Sequence, residues 1–185
     1  MKIVAFLDSC VLYPFTLRDI LIQFSYEGMF RAKWSSKVRS EVIKNVEKDN
    51  PKTKGKLGST FDLMEKAVPD FFTESSAATS TEVKKSNTDK NDIDILAAAI
   101  DGGCTHLVTT NLRHFDIAFA SARGIAVIHP DEFLERLIND NHTIASSGFN
   151  KIIARYKNPP RTKLEYCVVL KNNQLVKTSV ALENL

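Results

Sequence analysis

Three acidic residues could form a site for chemistry, because each lies at or near the end of a predicted element. Asp8 follows the apolar run 3–7, whose composition suits a strand that is buried on both faces. Glu41 lies within an amphipathic helix, and Asp92 lies at the start of an alanine-rich helix. Carboxylates are the natural protein ligands of hard divalent cations. We therefore predict that Asp8, Glu41 and Asp92 meet around a metal ion.

Each of these acids also has a structural interpretation. Asp8 would lie at the carboxyl end of its strand, where open α/β sheets bind ligands, but an isolated aspartate there often only caps a turn. Asp92 and Asp94 could both simply complement a helix dipole. On a regular helix Asp94 would point away from Asp92, so we rank it second. The set of acids as a whole favours a functional site.

Length and composition limit the class of protein. The chain has 185 residues, 43% of them hydrophobic, which is enough for one α/β domain with a small appendage. The sequence shows no apolar window of ~18 residues, and the N-terminal apolar run ends at Asp8, too early for a secretory signal. Three widely spaced cysteines indicate reduced thiols rather than disulfides or structural zinc. We therefore expect a cytoplasmic protein without a membrane partner.

Basic residues are clustered although the net charge is only +3. Lysines are concentrated between residues 44 and 56, and a second basic group lies between residues 151 and 163. Lysine-rich helix faces are often merely solvated, and such clusters also fit contacts to the phosphates of a polyanion. Both interpretations stay open for the stretch 44–56.

The order of predicted elements indicates a parallel sheet that is covered by helices. Strands are predicted at 3–7, 105–110 and 125–128. Helical patterns begin near Leu17, Ser36, Leu57, Asp92, Phe115 and Pro130. The serine-rich stretch 75–87 is predicted to be a loop. Repeated β-α units of this kind predict an α/β fold with a central parallel sheet.

The pattern changes towards the C-terminus. We divide the chain into a domain at residues 1–138 and an extension at residues 139–185. Thr162 and Glu165 have the spacing of a capping box, which predicts a helix start. A hairpin that turns at residues 172–173 is the competing interpretation, but Asn-Asn is a weaker turn signal than Asn-Gly. We therefore predict a helical extension.

Four segments together resemble the PIN-domain family. They are Leu7 to Pro14, Trp34-Ser35 ahead of Glu41, Asp92 to Ala99, and Val108 to Phe115. Each segment is weakly diagnostic alone, but their order and spacing over about residues 1–135 are more specific. The chain is more narrowly similar to VapC-like toxins with a C-terminal extension. The resemblance implies a PIN-like three-layer α/β/α fold with a central parallel sheet and a helical C-terminal appendage.

The same resemblance also implies a function. The chain would be a metal-dependent endoribonuclease with Mg²⁺ or Mn²⁺ as cofactor, and it would act as the toxin of a type II toxin–antitoxin pair. The implied partners are RNA, such as tRNA or rRNA, and a cognate antitoxin protein, and a homodimer is compatible with the family. A hard cation suits this reaction, because it acidifies water and neutralises charge on the phosphate.

The site residues that the resemblance implies follow from motif positions. Asp8, Glu41 and Asp92 match the first three acids of the family as catalytic residues and metal ligands. The fourth acidic position is occupied by Asn111, which brings an amide oxygen but no charge. Asp116, five residues further on, could supply the missing carboxylate to the metal.

Threonines and histidines near these motifs are less informative. Thr109 and Thr110 could orient a carboxylate, although β-branched residues are also ordinary strand material. The histidines lack the spacing of a metal site, and we expect structural or surface roles for His106, His114 and His129.

A protein that keeps the scaffold without the chemistry is the alternative function. Such a PIN-like protein would bind RNA or a partner after losing catalytic competence. The amide at Asn111 supports this alternative, and retained metal binding would argue against it.

Overall fold

The apolar run before Asp8 forms the central strand of a parallel sheet. The computed structural model describes residues 3–185. The sheet within these residues has the strand order β2–β1–β3–β4, and all neighbouring strands are parallel. Its strands are β1 Val4–Leu7, β2 Arg31–Lys33, β3 His106–Val108 and β4 Ala126–Ile128. The predicted α/β fold with a central parallel sheet is confirmed.

Helices connect the strands and cover both faces of the sheet, which gives a three-layer α/β/α fold of the PIN-like type. Ala5, Phe6 and Leu7 of β1 are each 0% exposed, as a strand with two covered faces requires. The connecting helices are α1 Ser9–Leu12, α2 Phe15–Tyr26, α3 Ser36–Asp49, α4 Leu57–Ala67, α5 Ala77–Val83, α6 Ile93–Asp101 and α7 Ile117–Ser121.

The strand order places a ligand-binding crevice beside Asp8. From β1 the chain continues to β2 on one side, and it later returns to place β3 on the other side of β1. In open parallel sheets the carboxyl ends of the strands at such a reversal flank the usual ligand site. Asp8 directly follows β1, and Thr109 directly follows β3.

The serine-rich stretch 75–87 differs from its prediction. It was expected to be a loop, but it contains α5, which packs against α6. The hydroxyl of Ser76 caps this helix by accepting the N–H of Thr79. Only Val83 of α5 is buried, so the helix has no apolar period that could be recognised in the sequence.

Four helices form the C-terminal part of the chain, as predicted. They are α8 Pro130–Asp140, α9 His142–Arg155, α10 Lys163–Asn172 and α11 Val176–Glu183. The capping box of Thr162 and Glu165 is present at the start of α10. The competing hairpin does not form, because residues 172–173 end α10. The extension packs on the sheet domain through contacts of α9 and α10 with α2. Among residues 3–185, no helix has the length and apolar character needed to cross a membrane.

Candidate metal centre

Asp8 is the most firmly held of the predicted acids. Its side chain is buried, and the residue is only 3% exposed. One carboxylate oxygen, Oδ1, accepts the backbone N–H of Ser9 at 2.6 Å and so caps α1. The other, Oδ2, accepts the hydroxyl of Thr109 at 2.7 Å. Asp8 therefore caps a helix, and it also lies at the crevice.

Two weaker donors complete the surroundings of Asp8. The hydroxyl of Ser9 lies 3.3 Å from Oδ1, and the thiol of Cys10 lies 3.2 Å from Oδ2. Both side chains can rotate, so a cation could replace them without moving the carboxylate. Burial and then the charge of Asp8 raise the pKa of Cys10 to about 11, so the thiol stays protonated and acts as a donor.

Asp92 lies close to Asp89 and His114, neither of which was predicted to belong to the site. It immediately precedes α6, and its Oδ2 lies 3.2 Å from Nδ1 of His114. The same nitrogen lies 3.6 Å from Oδ2 of Asp89. One ligand atom from each of Asp89, Asp92 and His114 lies within 4.8 Å of the others. This group could hold a metal ion.

The backbone fixes this group of three. The N–H of Asp89 donates to the carbonyl of His114 at 2.8 Å, and the N–H of Asp92 donates to the carbonyl of Asp89 at 2.9 Å. His114 ends a short 3₁₀ turn, Leu112–His114, that follows β3. The imidazole is therefore brought to the start of α6 by the segment that leaves the neighbouring strand.

Electrostatics link Asp92 to Asp8. Partial burial raises the pKa of Asp92, the negative charge of Asp8 raises it further, and the hydrogen bond with His114 opposes both effects. Because the charge of Asp8 makes ionisation of Asp92 more costly, a cation between the two carboxylates would stabilise them. The donor set of carboxylates with one imidazole fits a divalent ion such as Mn²⁺ or Mg²⁺.

Glu41 lies on a face of α3 that turns towards the same crevice. Lys37, one helical turn before it, donates a 2.8 Å hydrogen bond to the carbonyl of Asn91, beside the start of α6. Asn45, one turn after it, lines a cavity together with Cys10. Residues four apart share a helix face, so Glu41 lies between these two contacts. Its half-buried carboxylate forms no ion pair within residues 3–185.

The remaining predicted residues occupy different surroundings. Asn111 is exposed after β3, and its backbone N–H donates to the hydroxyl of Thr109 at 3.0 Å. Asp116 caps α7, because its carboxylate accepts the backbone N–H groups of Phe119 and Asn87, each at 3.0 Å. These two bonds lower the pKa of Asp116. Its carboxylate is thus committed to the backbone and lies outside the group of three.

Asp94 is not a member of the group of Asp89, Asp92 and His114. Its carboxylate lies 3.3 Å from the ammonium of Lys37. This ion pair joins α3 to α6 and so helps to set the position of Glu41.

The missed residues had only weak signals in the sequence. His114 precedes Phe115, which is 4% exposed and anchors this segment in the core. Asp89 lies three positions before Asp92, which is a usual distance for two residues on one turn. Only the backbone bond between Asp89 and His114 brings these residues together, and no local spacing predicts it.

Comparison with known proteins gives one match, in the C-terminal part of the chain. Residues 130–184 match the family model described as the VapC50 C-terminal domain. This range contains α8 to α11 and is less than half of the chain. No curated protein and no solved structure matches the chain. Over its four C-terminal helices, the chain is therefore similar to a VapC-family protein.

Proposed function

We propose that this protein is a metal-dependent endoribonuclease. The observation that carries the proposal is the placement of Asp8 and Asp92, which come from distant segments and lie at the crevice of a parallel sheet, where the charge of Asp8 contributes to the raised pKa of Asp92. Buried and half-buried carboxylates that are brought together in such a crevice are arranged for a cation and its anionic substrate rather than for stability. The PIN-like fold and the match of residues 130–184 support the same function.

We propose that Asp92 and His114 hold the metal, with Asp89 beside them and with Asp8 as a further carboxylate ligand. A bound Mn²⁺ or Mg²⁺ would lower the pKa of water and neutralise charge on the scissile phosphate. The imidazole nitrogen of His114 favours Mn²⁺, because Mg²⁺ prefers an all-oxygen shell. Thr109 holds Asp8 in place through its hydroxyl, so the carboxylate needs no rearrangement on binding.

Glu41 is the proposed proton acceptor. Its carboxylate has no ion-pair partner in the described part of the chain and faces the crevice, so it can accept the proton of the attacking water. The water oxygen would then bond to phosphorus as the bond from phosphorus to the leaving ribose oxygen breaks, and the leaving oxygen would take a proton from solvent water. We propose that the exposed amide of Asn111 donates a hydrogen bond to a phosphate oxygen. Because Asp116 caps α7, we assign it no metal, and we propose a site with one metal ion.

The toxin role rests on the similarity of the C-terminal helices to a VapC-family domain. A toxin nuclease needs an inhibitor in the cell that makes it. We propose an antitoxin protein that inserts a basic side chain into the crevice, where it would pair with Asp8 and Asp92 as the metal does.

A binding scaffold without catalysis is the second candidate function, and Asn111 is the residue that favours it. A PIN-like protein that lacks the fourth carboxylate could bind RNA and leave it intact. This scaffold would not need a divalent cation for its fold or its binding.

The test is cleavage of a mixed pool of tRNA and rRNA by wild type and Asp8→Asn, each with Mn²⁺, with Mg²⁺ or with EDTA. Sequencing of the product ends would reveal the cut sites. We expect discrete cuts that require both the metal and Asp8. Asp140→Asn, the same change at the exposed end of α8, is the matched control and should cleave like wild type. Cleavage by Asp8→Asn at the wild-type rate would contradict the proposed mechanism.

A further inference from the structure

The end of α3 and the segment after it form a strongly basic surface. The stretch 44–56 contains five lysines, and all five are exposed without an ion-pair partner within residues 3–185. The two acids of the stretch form no ion pair with these lysines within residues 3–185. Glu47 accepts the backbone N–H of Gly55 at 2.7 Å, and Asp49 accepts the hydroxyl of Tyr13 at 2.6 Å. With five lysines against two acids, the stretch carries a net positive charge.

These lysines border a shallow groove. The groove has a volume of about 640 Å³. Ile43 and Pro51 contribute apolar surface to it, Lys44, Lys48 and Lys54 contribute positive charges, and Glu47 contributes one negative charge. Apolar surface beneath a rim of ammonium groups suits a ligand that carries both phosphates and flat apolar parts.

The groove adjoins a second cavity that reaches the residues around Asp8. This cavity of about 370 Å³ shares Lys48 with the groove and is also lined by Ser9, Cys10 and Asp49. Ser9 and Cys10 both contact the carboxylate of Asp8. Lys48 therefore lies between the groove and the residues beside Asp8.

We propose that this groove, formed by Lys44, Lys48 and Lys54 with Ile43 and Pro51, binds the backbone of single-stranded RNA on one side of the cleaved bond. The inference rests on the proposed function, since it extends the same site along its substrate. Lysine ammonium groups bind the phosphates, and the apolar surface accommodates sugars and base faces. An unpaired strand exposes both kinds of group at once, whereas duplex RNA keeps its bases stacked inside.

The test is binding of a fluorescein-labelled single-stranded oligouridine by the full chain in EDTA, where no metal-dependent cleavage occurs. Anisotropy is measured over a series of salt concentrations for wild type and the triple variant Lys44→Ala/Lys48→Ala/Lys54→Ala. Loss of three phosphate contacts should reduce the slope of log affinity against log salt concentration by about 2. The matched control is Lys66→Ala/Lys84→Ala/Lys85→Ala, three exposed lysines outside the groove, which should keep the wild-type slope.

The outcomes separate this proposal from the proposed function. A reduced slope in the triple variant alone supports the groove, whether or not the protein cleaves RNA. An unchanged slope and affinity in the triple variant overturn the groove, even if cleavage is observed, and would assign the lysines to an acidic protein partner. If wild type binds a labelled RNA duplex of the same length more tightly than the single strand, the proposal for the groove is also overturned. All substituted side chains are exposed, and thermal unfolding checks that each variant stays folded.

Discussion

The hydroxyl of Thr109 donates a 2.7 Å hydrogen bond to Oδ2 of Asp8. The two residues follow neighbouring parallel strands, β3 and β1, at the point where the strand order reverses. Thr109 is 0% exposed and Asp8 is 3% exposed, so this donor replaces water at a carboxylate that would otherwise lack solvation. The bond therefore orients the carboxylate of Asp8, which is the first proposed metal ligand.

Replacing Thr109 by Val should weaken both the fold and the site. The change keeps the shape of the side chain but removes the donor, and a buried acceptor that loses its partner costs about 1–3 kcal/mol. Loss of a group that orients a metal ligand lowers metal affinity by about 10- to 100-fold. Urea unfolding and Mn²⁺ calorimetry measure the two effects. Thr109→Ser keeps the hydroxyl and should restore most of the metal affinity, and a Val variant with wild-type affinity would refute this role.

Replacing Asp92 by Asn should stabilise the metal-free protein near neutral pH. Burial and the charge of Asp8 raise the pKa of Asp92 above its ordinary value of 3.8. A carboxyl whose pKa is higher in the folded state opposes folding at pH values above that raised pKa, and this effect disappears as the pH falls below the ordinary value. The gain in the free energy of unfolding should therefore be present at neutral pH and vanish in acid.

Urea unfolding in EDTA over a pH series measures this gain, with Asp140→Asn as a control that removes an exposed carboxylate. A gain that persists in acid would show that the cost of ionising Asp92, through its burial and the charge of Asp8, is not its cause. With Mn²⁺ present the sign should reverse, because Asp92→Asn removes a ligand of a cation that binds only the folded chain.

Replacing His114 by Asp should change the preference among metals. The imidazole Nδ1 lies 3.2 Å from Asp92, and a carboxylate in its place would give an oxygen donor. Mg²⁺ prefers such a shell, so the ratio of Mn²⁺ affinity to Mg²⁺ affinity should fall by about ten-fold. Calorimetry with each metal gives the ratio. His142→Asp makes the same change at the exposed start of α9 and should leave the ratio unaltered.

Replacing Asp131 by Ala should destabilise the C-terminal helices without affecting the metal centre. Asp131 is 8% exposed, and its carboxylate accepts the N–H groups of Lys177 and Thr178 at 3.1 and 2.8 Å, which caps α11 from α8. Removal of such a cap costs about 2 kcal/mol. Thermal unfolding should show this loss while Mn²⁺ affinity stays at the wild-type value. A large fall in affinity would mean that the C-terminal helices help to shape the site.

The sequence predicted the fold well because its signals are local. The apolar run before Asp8, the alanine-rich helix after Asp92 and the capping box of Thr162 and Glu165 each specify an element through neighbouring residues. Placing strands and helices in order then limits the sheet to a parallel arrangement. Asp8 and Asp92 could be selected for the same reason, since each lies at the end of such an element.

The rest of the site depends on contacts that local patterns do not contain. His114 reaches Asp92 only because the 3₁₀ turn after β3 bonds to the backbone of Asp89 at 2.8 Å. Asp116 was a candidate metal ligand, but its carboxylate caps α7 and also accepts the N–H of Asn87. Asn87 lies 29 positions earlier in the chain, so no local pattern predicts this second bond.

Binding of Mn²⁺ tests directly whether Asp8 and Asp92 bind the same metal ion. Calorimetric titrations of wild type, Asp8→Asn, Asp92→Asn and the control Asp140→Asn give stoichiometry and affinity without relying on cleavage. We predict a single Mn²⁺ per chain, bound at least about ten-fold more weakly by each of the two site variants and normally by the control. Equal Mn²⁺ affinity in all four proteins, or no Mn²⁺ binding by wild type, would contradict a metal site shared by Asp8 and Asp92.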